Sequence, residues 1–167
     1  MNKMKILLVA TLLCIAEFTK AAEFLVTDYG AVADGTTDCS PAIAAAIEAA
    51  GAAGGGTVVL PAADKPYVIT DTIHLRTDNL HFTAAGATVY LKDGASAGRT
   101  TLENMLHVVW IHGTPERPVE NVRLDGLSID ANYWGQTGNV ASWQGSRAVA
   151  GITRGIKIHH ARHIKID

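Results

Sequence analysis

One short helix stands alone in a chain whose remaining periodicity is that of strands, and this imbalance narrows the fold more than any other feature. The helix is read over Pro41–Ala50. Ser40 is placed as its N-cap, with Pro41 at the first helical position, where the missing N–H costs nothing. Ile43, Ile47 and Ala50 then share one face, an apolar stripe that needs a surface to cover. Gly51 and the run Gly54-Gly55-Gly56 end the helix, because glycine adopts the positive φ that a helix C-terminus demands. A short strand, Phe24–Thr27, precedes it across a turn-rich segment through Asp34-Gly35, and a second strand follows the glycines. A solitary helix among strands suggests a cap laid over the open end of a β-structure.

After Pro61 the pattern alternates. Tyr67–Ile69, Ile73–Leu75, Leu80–Phe82, Val89–Leu91, Leu106–Ile111, Val122–Leu124, Leu127–Ile129, Ile156–Ile158 and Ile164–Ile166 read as short strands, several with one buried face. Leu80/Phe82, Val122/Leu124 and Ile164/Ile166 recur at intervals of 42 residues, each preceded by Asn or His. That interval fits two coils of a solenoid, or one coil carrying a large loop. The eight residues between Ile156/Ile158 and Ile164/Ile166 fit two strands of one coil joined by a tight turn. A β-sandwich is the alternative, but its hairpins favour two-residue Asp-Gly turns. Of Asp34-Gly35, Asp93-Gly94 and Asp125-Gly126, only the last is closely flanked by strands. Two stretches interrupt the pattern. Lys92–Asn104 is polar and reads as a surface loop, and Asn132–Ala150 sets Tyr133, Trp134 and Trp143 among Gly, Asn, Gln and Ser.

The order Asp28-Tyr29-Gly30-Ala31, Asp34-Gly35-Thr36-Thr37-Asp38, helix, Gly55-Gly56-Thr57-Val58-Val59-Leu60-Pro61 resembles the N-terminal portion of the pectate-lyase superfamily. That group includes rhamnogalacturonase- and polygalacturonase-like right-handed parallel β-helices and related phage tailspikes. Cys39 stands where those proteins usually carry Asp or Thr. The resemblance implies an all-β fold, a right-handed parallel β-helix with an N-terminal capping α-helix.

Met1–Ala21 reads as an export signal: Lys3 and Lys5 precede the apolar run Ile6–Ala16, too short to span a bilayer, and Thr19 and Ala21 suit cleavage after Ala21. The expected mature domain, residues 22–167, is secreted or periplasmic and without a membrane segment. It has 11 basic against 15 acidic residues, a net charge of −4 that argues against a nucleic-acid partner. Its single cysteine, Cys39, forms no internal disulfide and is expected to be buried beside the helix. Gly51–Gly56 follows a helix rather than opening one, the wrong order for a phosphate-binding loop.

Candidate chemistry falls into three groups. Asp125 and Asp130 flank Leu127–Ile129, and Asp130, beside the aromatic loop, is the candidate catalytic carboxylate, against the simpler reading of an Asp that terminates a strand. The polygalacturonase motif set is absent. Tyr133, Trp134 and Trp143 offer flat faces to sugar rings, or staple their loop to the wall. Arg154 and Lys157, in a basic stretch with Arg147, Arg162 and Lys165, suit the carboxylates of an acidic polysaccharide, or form a solvated strand face. An arginine as the base of uronate β-elimination, and calcium if the reaction is a lyase's, enter only through the family resemblance. His159, His160 and His163 do not share a face at strand spacing, so no metal site is assigned to them.

Two functions are carried forward. One is an exported enzyme cleaving pectin-like acidic polysaccharide by β-elimination or glycoside hydrolysis; the other is a non-catalytic glycan-binding β-helix, like an adhesin or tailspike. Nothing after Ile166 reads as a closing element. The chain is therefore expected to be C-terminally truncated, with most catalytic residues beyond Asp167.

Overall fold

The computed structural model describes residues 22–99, 106–136, 140–141, 148–149 and 153–167. The export segment at residues 1–21 and Trp143 lie outside them. In chain order the elements are β1 (Glu23–Leu25), α1 (Ser40–Ala52), β2 (Gly56–Val59), β3 (Tyr67–Ile69), β4 (Ile73–Leu75), β5 (Leu80–Leu91) and β6 (Leu106–His112). They continue with β7 (Val119–Glu120), β8 (Arg123–Asp130), β9 (Val140–Ala141), β10 (Ala148–Val149), β11 (Thr153–His159), β12 (Ala161–Arg162) and β13 (Lys165–Ile166). Among the described residues no helix is long and apolar enough to cross a membrane.

Three sets of parallel strands carry the chain: β1–β2–β5–β8–β13, with β3 also on β5; β4–β6–β11; and β7–β12. The path visits these sets in the same order twice, first as β6, β7, β8 and then as β11, β12, β13. Among the described strands only β9 and β10 pair antiparallel, which removes the sandwich alternative. The 42-residue interval is a single pass, since Phe82 aligns with Leu124 and Leu124 with Ile166. Phe24 and Val58 extend the same row, giving a continuous line of apolar side chains. Val58, Phe82 and Leu124 are almost wholly buried.

A second row explains the Asn or His before each recurrence. Asn79, Asn121 and His163 all take left-handed backbone, with φ of 56°, 59° and 55°. Asparagine tolerates that region better than most residues. Here its amide also links neighbouring passes, Asn121 Nδ2 donating to Asn79 Oδ1 at 3.0 Å.

Several sequence expectations are corrected. Ser40 is the first residue of α1 and Cys39 its N-cap, which makes no side-chain capping bond. The Ser40 hydroxyl accepts from the backbone N–H of Thr70 (2.9 Å) and Asp71 (3.3 Å), and the Asp38 carboxylate accepts the Ser40 N–H instead. The helix continues through Gly51 to Ala52 and stops where Gly54 turns left-handed (φ 83°). Gly55 is required for a different reason: a Cβ there would sit 2.7 Å from the Asn79 carbonyl oxygen. β1 ends at Leu25, and Val26–Tyr29 forms a 3-10 turn. The runs at Leu80 and Val89 are one strand, as are those at Val122 and Leu127. Asp125-Gly126 is accordingly no hairpin turn but continues inside β8, where Gly126 alone faces a bulge of β5 between Thr83 and Ala87. Ser96, in the segment read as surface loop, is buried, with its N–H donated to Gln136 Oε1.

α1 packs against β1, β2, β4 and the 3-10 turn that follows β1. Its stripe is buried as the spacing required, with Ile43 and Ile47 inward beside Ala46 and Ala50. Cys39 is buried next to them, its thiol donating to the carbonyls of Val32 and Thr37.

Candidate functional site

The sheet β4–β6–β11 is built from triplets in which an apolar residue faces inward between two others. Register places Ile73, Val109 and Ile156 in one row and Leu75, Ile111 and Ile158 in another. Residues between these rows therefore belong to the opposite face. They are His74, Trp110 and Lys157, aligned across three strands, followed by His112 aligned with His159. None of the residues of β4, β6 or β11 is acidic.

These side chains interlock. His112 stacks on Trp110 with centroids 4.1 Å apart and planes 27° apart. Lys157 Nζ lies 4.3 Å from the Trp110 ring centroid, close enough for a cation–π contact. His74 Nδ1 and His112 Nε2 meet at 3.0 Å, which requires one ring to donate and the other to accept. Burial, then the charges of His74, Arg76, Lys157 and His159, pushes the His112 pKa down to about 4. Burial and Arg76 lower His74 in the same direction, against the attraction of Asp71. Both imidazoles are thus neutral near pH 7. His107, at the start of β6 and 3% exposed, is pushed down to about 4 by burial and by Lys157 and Arg154.

The facing of β5–β8–β13 contrasts with this. There His81 Nε2 meets Asp125 at 2.9 Å, and Arg123 reaches both Asp125 (3.1 Å) and Asp167 (3.4 Å), while Lys165 pairs with Asp167 at 2.8 Å. Burial alone would raise the Asp125 pKa; the bonds from His81 and Thr83 and the Arg123 charge overcome it and hold it low. That wall neutralises its own charges, whereas the β4–β6–β11 face keeps its cations uncompensated by any carboxylate of its own strands.

The sequence-derived candidates divide between two places. Asp130 closes β8 and accepts the Asn132 N–H at 2.8 Å, the geometry of a strand terminator. Asn132, left-handed at φ 44°, holds the next turn: its amide donates to Leu91 O and Asp93, and its oxygen accepts from the Gly135 N–H. Tyr133 and Trp134 ride on that 3-10 turn with rings edge to face at 5.0 Å. Trp134 is 90% exposed, so it staples nothing among the described residues. Arg154 and Lys157 belong instead to β11, aligned with His107 and Trp110. A bond from Thr153 Oγ1 to Ala131 O (3.1 Å) ties the start of β11 to the segment carrying the aromatic turn. His74 and Trp110 escaped the sequence reading because each lay in a run taken only as a strand, and His112 because it lay one residue beyond the run Leu106–Ile111. Their signal is present in Ile73-His74-Leu75, Trp110-Ile111-His112 and Lys157-Ile158-His159, where an apolar aliphatic residue alternates with His, Trp or Lys.

The lyase reading would bring calcium, which needs converging oxygen ligands. Among the described residues no three His, Cys, Asp or Glu side chains are grouped to hold a metal. Asp125 is committed to His81 and Arg123, and Asp130 to its turn. The described residues do not fit a calcium site.

Comparison with known proteins places the fold. No family model matches the chain. Mannuronan C5-epimerase AlgE3 of Azotobacter vinelandii is 32% identical over 131 residues, covering 74% of this chain and 7% of that protein. The A-module of mannuronan C-5 epimerase AlgE4 from the same organism superposes with a TM-score of 0.57 at 26% identity, over 87% of this chain and 42% of the module. The chain resembles the pectate-lyase-like β-helix superfamily. PfbA, a surface adhesin of Streptococcus pneumoniae, gives a TM-score of 0.61 at 24% identity, over 87% of this chain and 32% of that one, and shows the fold alone. The chain spans 7% to 22% of the length of the curated relatives it matches.

Proposed function

We propose that this protein is an exported, carbohydrate-active member of that superfamily whose β4–β6–β11 face holds an acidic polysaccharide. In this reading the strands wind as a right-handed parallel β-helix, and α1 closes its first apolar layer. One observation carries the functional reading: the face presents Lys157 and Arg154 with neutral imidazoles, and its strands bring no carboxylate to repel a polyanion. Relatives named mannuronan C5-epimerases support it, since mannuronan is itself a polyuronate.

The chemistry that fits this face is loss of the proton at C5 of a uronate residue, the step with which β-elimination begins and which any C5 inversion requires. Cations beside the sugar carboxylate stabilise the charge that develops as that proton leaves. Hydrolysis instead asks for two carboxyls flanking the glycosidic bond. The described residues of this face supply none. The aromatic turn with Tyr133 and Trp134 stands near the start of β11 as an added sugar contact, with Asp130 beneath it as a positioning group.

The test incubates the protein with polymannuronate and polygalacturonate in D2O, following C5–H exchange by NMR and unsaturated uronate by absorbance, with dextran as the neutral control. Exchange or elimination on a uronate polymer supports the reading. Binding with neither would leave the glycan-binding alternative, and equal affinity for dextran would overturn both. Lys157→Ala is expected to weaken polyuronate binding by about 5- to 10-fold at low salt, an effect that shrinks as salt screens the charge. Trp134→Ala should weaken oligosaccharide binding while shifting the melting temperature little, because so exposed a ring contributes little packing. Equal loss of binding and stability would return that turn to a structural role.

A further inference from the structure

We propose that His74 and His112 form a proton relay joining two clefts on either side of Arg76. This rests on the reading of the β4–β6–β11 face as a site of proton chemistry. His112 lines a cleft of about 280 Å³ with Arg76, Asp78, Thr114 and Arg117. His74 lines a smaller one, about 60 Å³, between β4 and α1, with Ser40, Glu48, Thr72 and Arg76. The smaller cleft is polar on one side and large enough for water. Arg76 borders both, and the two imidazoles bridge behind it through their 3.0 Å contact.

Two neutral imidazoles in such contact share one proton between His74 Nδ1 and His112 Nε2, leaving His112 Nδ1 and His74 Nε2 as outer ends. When His112 carries the shared proton, its Nδ1 is bare and His74 Nε2 is protonated. A proton leaving an acidic C–H or hydroxyl of a sugar in the larger cleft bonds to His112 Nδ1. The Nε2–H bond of His112 breaks as His74 Nδ1–H forms, and the proton on His74 Nε2 passes to water in the smaller cleft. Each ring ends neutral with its tautomer exchanged, and transfer in the opposite sense resets the pair. No oxidant or added charge is needed.

The surroundings suit this task. Trp110 holds both rings, stacked on His112 and 5.6 Å from His74. The charges that act most on the pair are Arg76 beyond β4, Lys157 on β11, Arg99 after β5, and Asp71 before β4, itself paired with Arg99; Glu48 lines the smaller cleft, and Asp78 and Arg117 the larger. Predominantly positive, they disfavour a second proton on the pair, which would break the contact. A purely structural pair would need only one fixed tautomer.

The test labels the histidines of the full chain with 15N and reads both rings by NMR near neutral pH. A relay gives coupling across the His74–His112 contact, with the two inner nitrogens averaged between protonated and bare shifts. Rings locked in one tautomer, or uncoupled, would overturn it. In the second arm, His112→Gln retains a hydrogen-bonding partner for His74 but cannot conduct a proton. Turnover of a uronate polymer should fall at least about 100-fold, the usual scale of acid–base catalysis, with binding within about twofold of the parent. Free imidazole should restore part of the activity of His112→Ala. Unchanged turnover in His112→Gln would sink the relay while leaving the glycan reading intact. An exchanging pair in a protein that binds no uronate polymer would do the reverse.

Discussion

Truncating Phe82 to alanine is expected to cost about 3–5 kcal/mol, enough to remove a large part of the stability of a domain of this size. Phe82 is 0% exposed and occupies the middle of the row Phe24, Val58, Phe82, Leu124, Ile166. Its neighbours in that row belong to strands on either side, so they are held at backbone spacing by the parallel ladder and cannot collapse into the vacancy. The loss therefore includes the cavity as well as the transfer of the ring to water. Phe82→Leu, which keeps most of the volume, should cost about 1–2 kcal/mol by comparison. Urea unfolding of both variants with an unchanged m-value would measure the difference. A loss under about 1 kcal/mol for the alanine variant would mean that the row is not packed as described.

How far the sequence reveals this molecule depends on how far apart the interacting groups lie. The body of α1 was legible because its signals are local: Pro41 opens it, the glycine run closes it, and Ile43 and Ile47 mark the buried face. The role of Ser40 was not, because the N–H groups that claim its hydroxyl belong to Thr70 and Asp71. The strands at Leu80 and Val122 were each read as ending at a glycine-containing break. In the structure the two breaks lie against each other: a Cβ on Gly126 would stand 2.9 Å from Ala85 Cα. Glycine is there for a close approach between strands, and only the pairing reveals it.

The candidate site was hidden for a related reason. On β5–β8–β13 the spacing is constant, and the recurrence at 42 residues could be seen. On β4–β6–β11 the aligned residues Ile73, Val109 and Ile156 are 36 and 47 residues apart, because the intervening loops differ in length. Unequal spacing conceals the row from any search at a fixed period. Lys157 and Arg154 were found by charge, but the histidines and tryptophan they join come from strands far away in the chain. Asp130 was found from local context, and its local partner, the Asn132 N–H, is what the structure shows.

Acid should unfold this protein in two separate pH windows, and the upper one belongs to the imidazoles. His107 is almost wholly buried, its Nδ1 has no hydrogen-bond partner, and its pKa is pushed to about 4; His112 is pushed to about 4 as well. A histidine with a depressed folded-state pKa binds more protons when unfolded, so stability rises with pH between the two values. Its contribution is complete above about pH 6.5 and is lost as pH falls towards about 4. For His107 the full window is worth ~3 kcal/mol, taking ordinary and folded values of about 6.5 and 4. The carboxylates act lower. Asp34, Asp38, Asp93 and Asp125 are held below the usual range, so what they contribute is lost only as pH falls below about 4. Replacing His107 by leucine removes the titrating group and the unpartnered nitrogen together, and should flatten the upper window while leaving the lower one in place. Chemical denaturation below pH 4 reads the lower window, and a series from pH 7 down to 4 reads the upper. A parent protein equally stable across that range would show that the imidazoles of β6 are not buried neutral, and would remove the electrostatic basis for reading its face as a polyanion site.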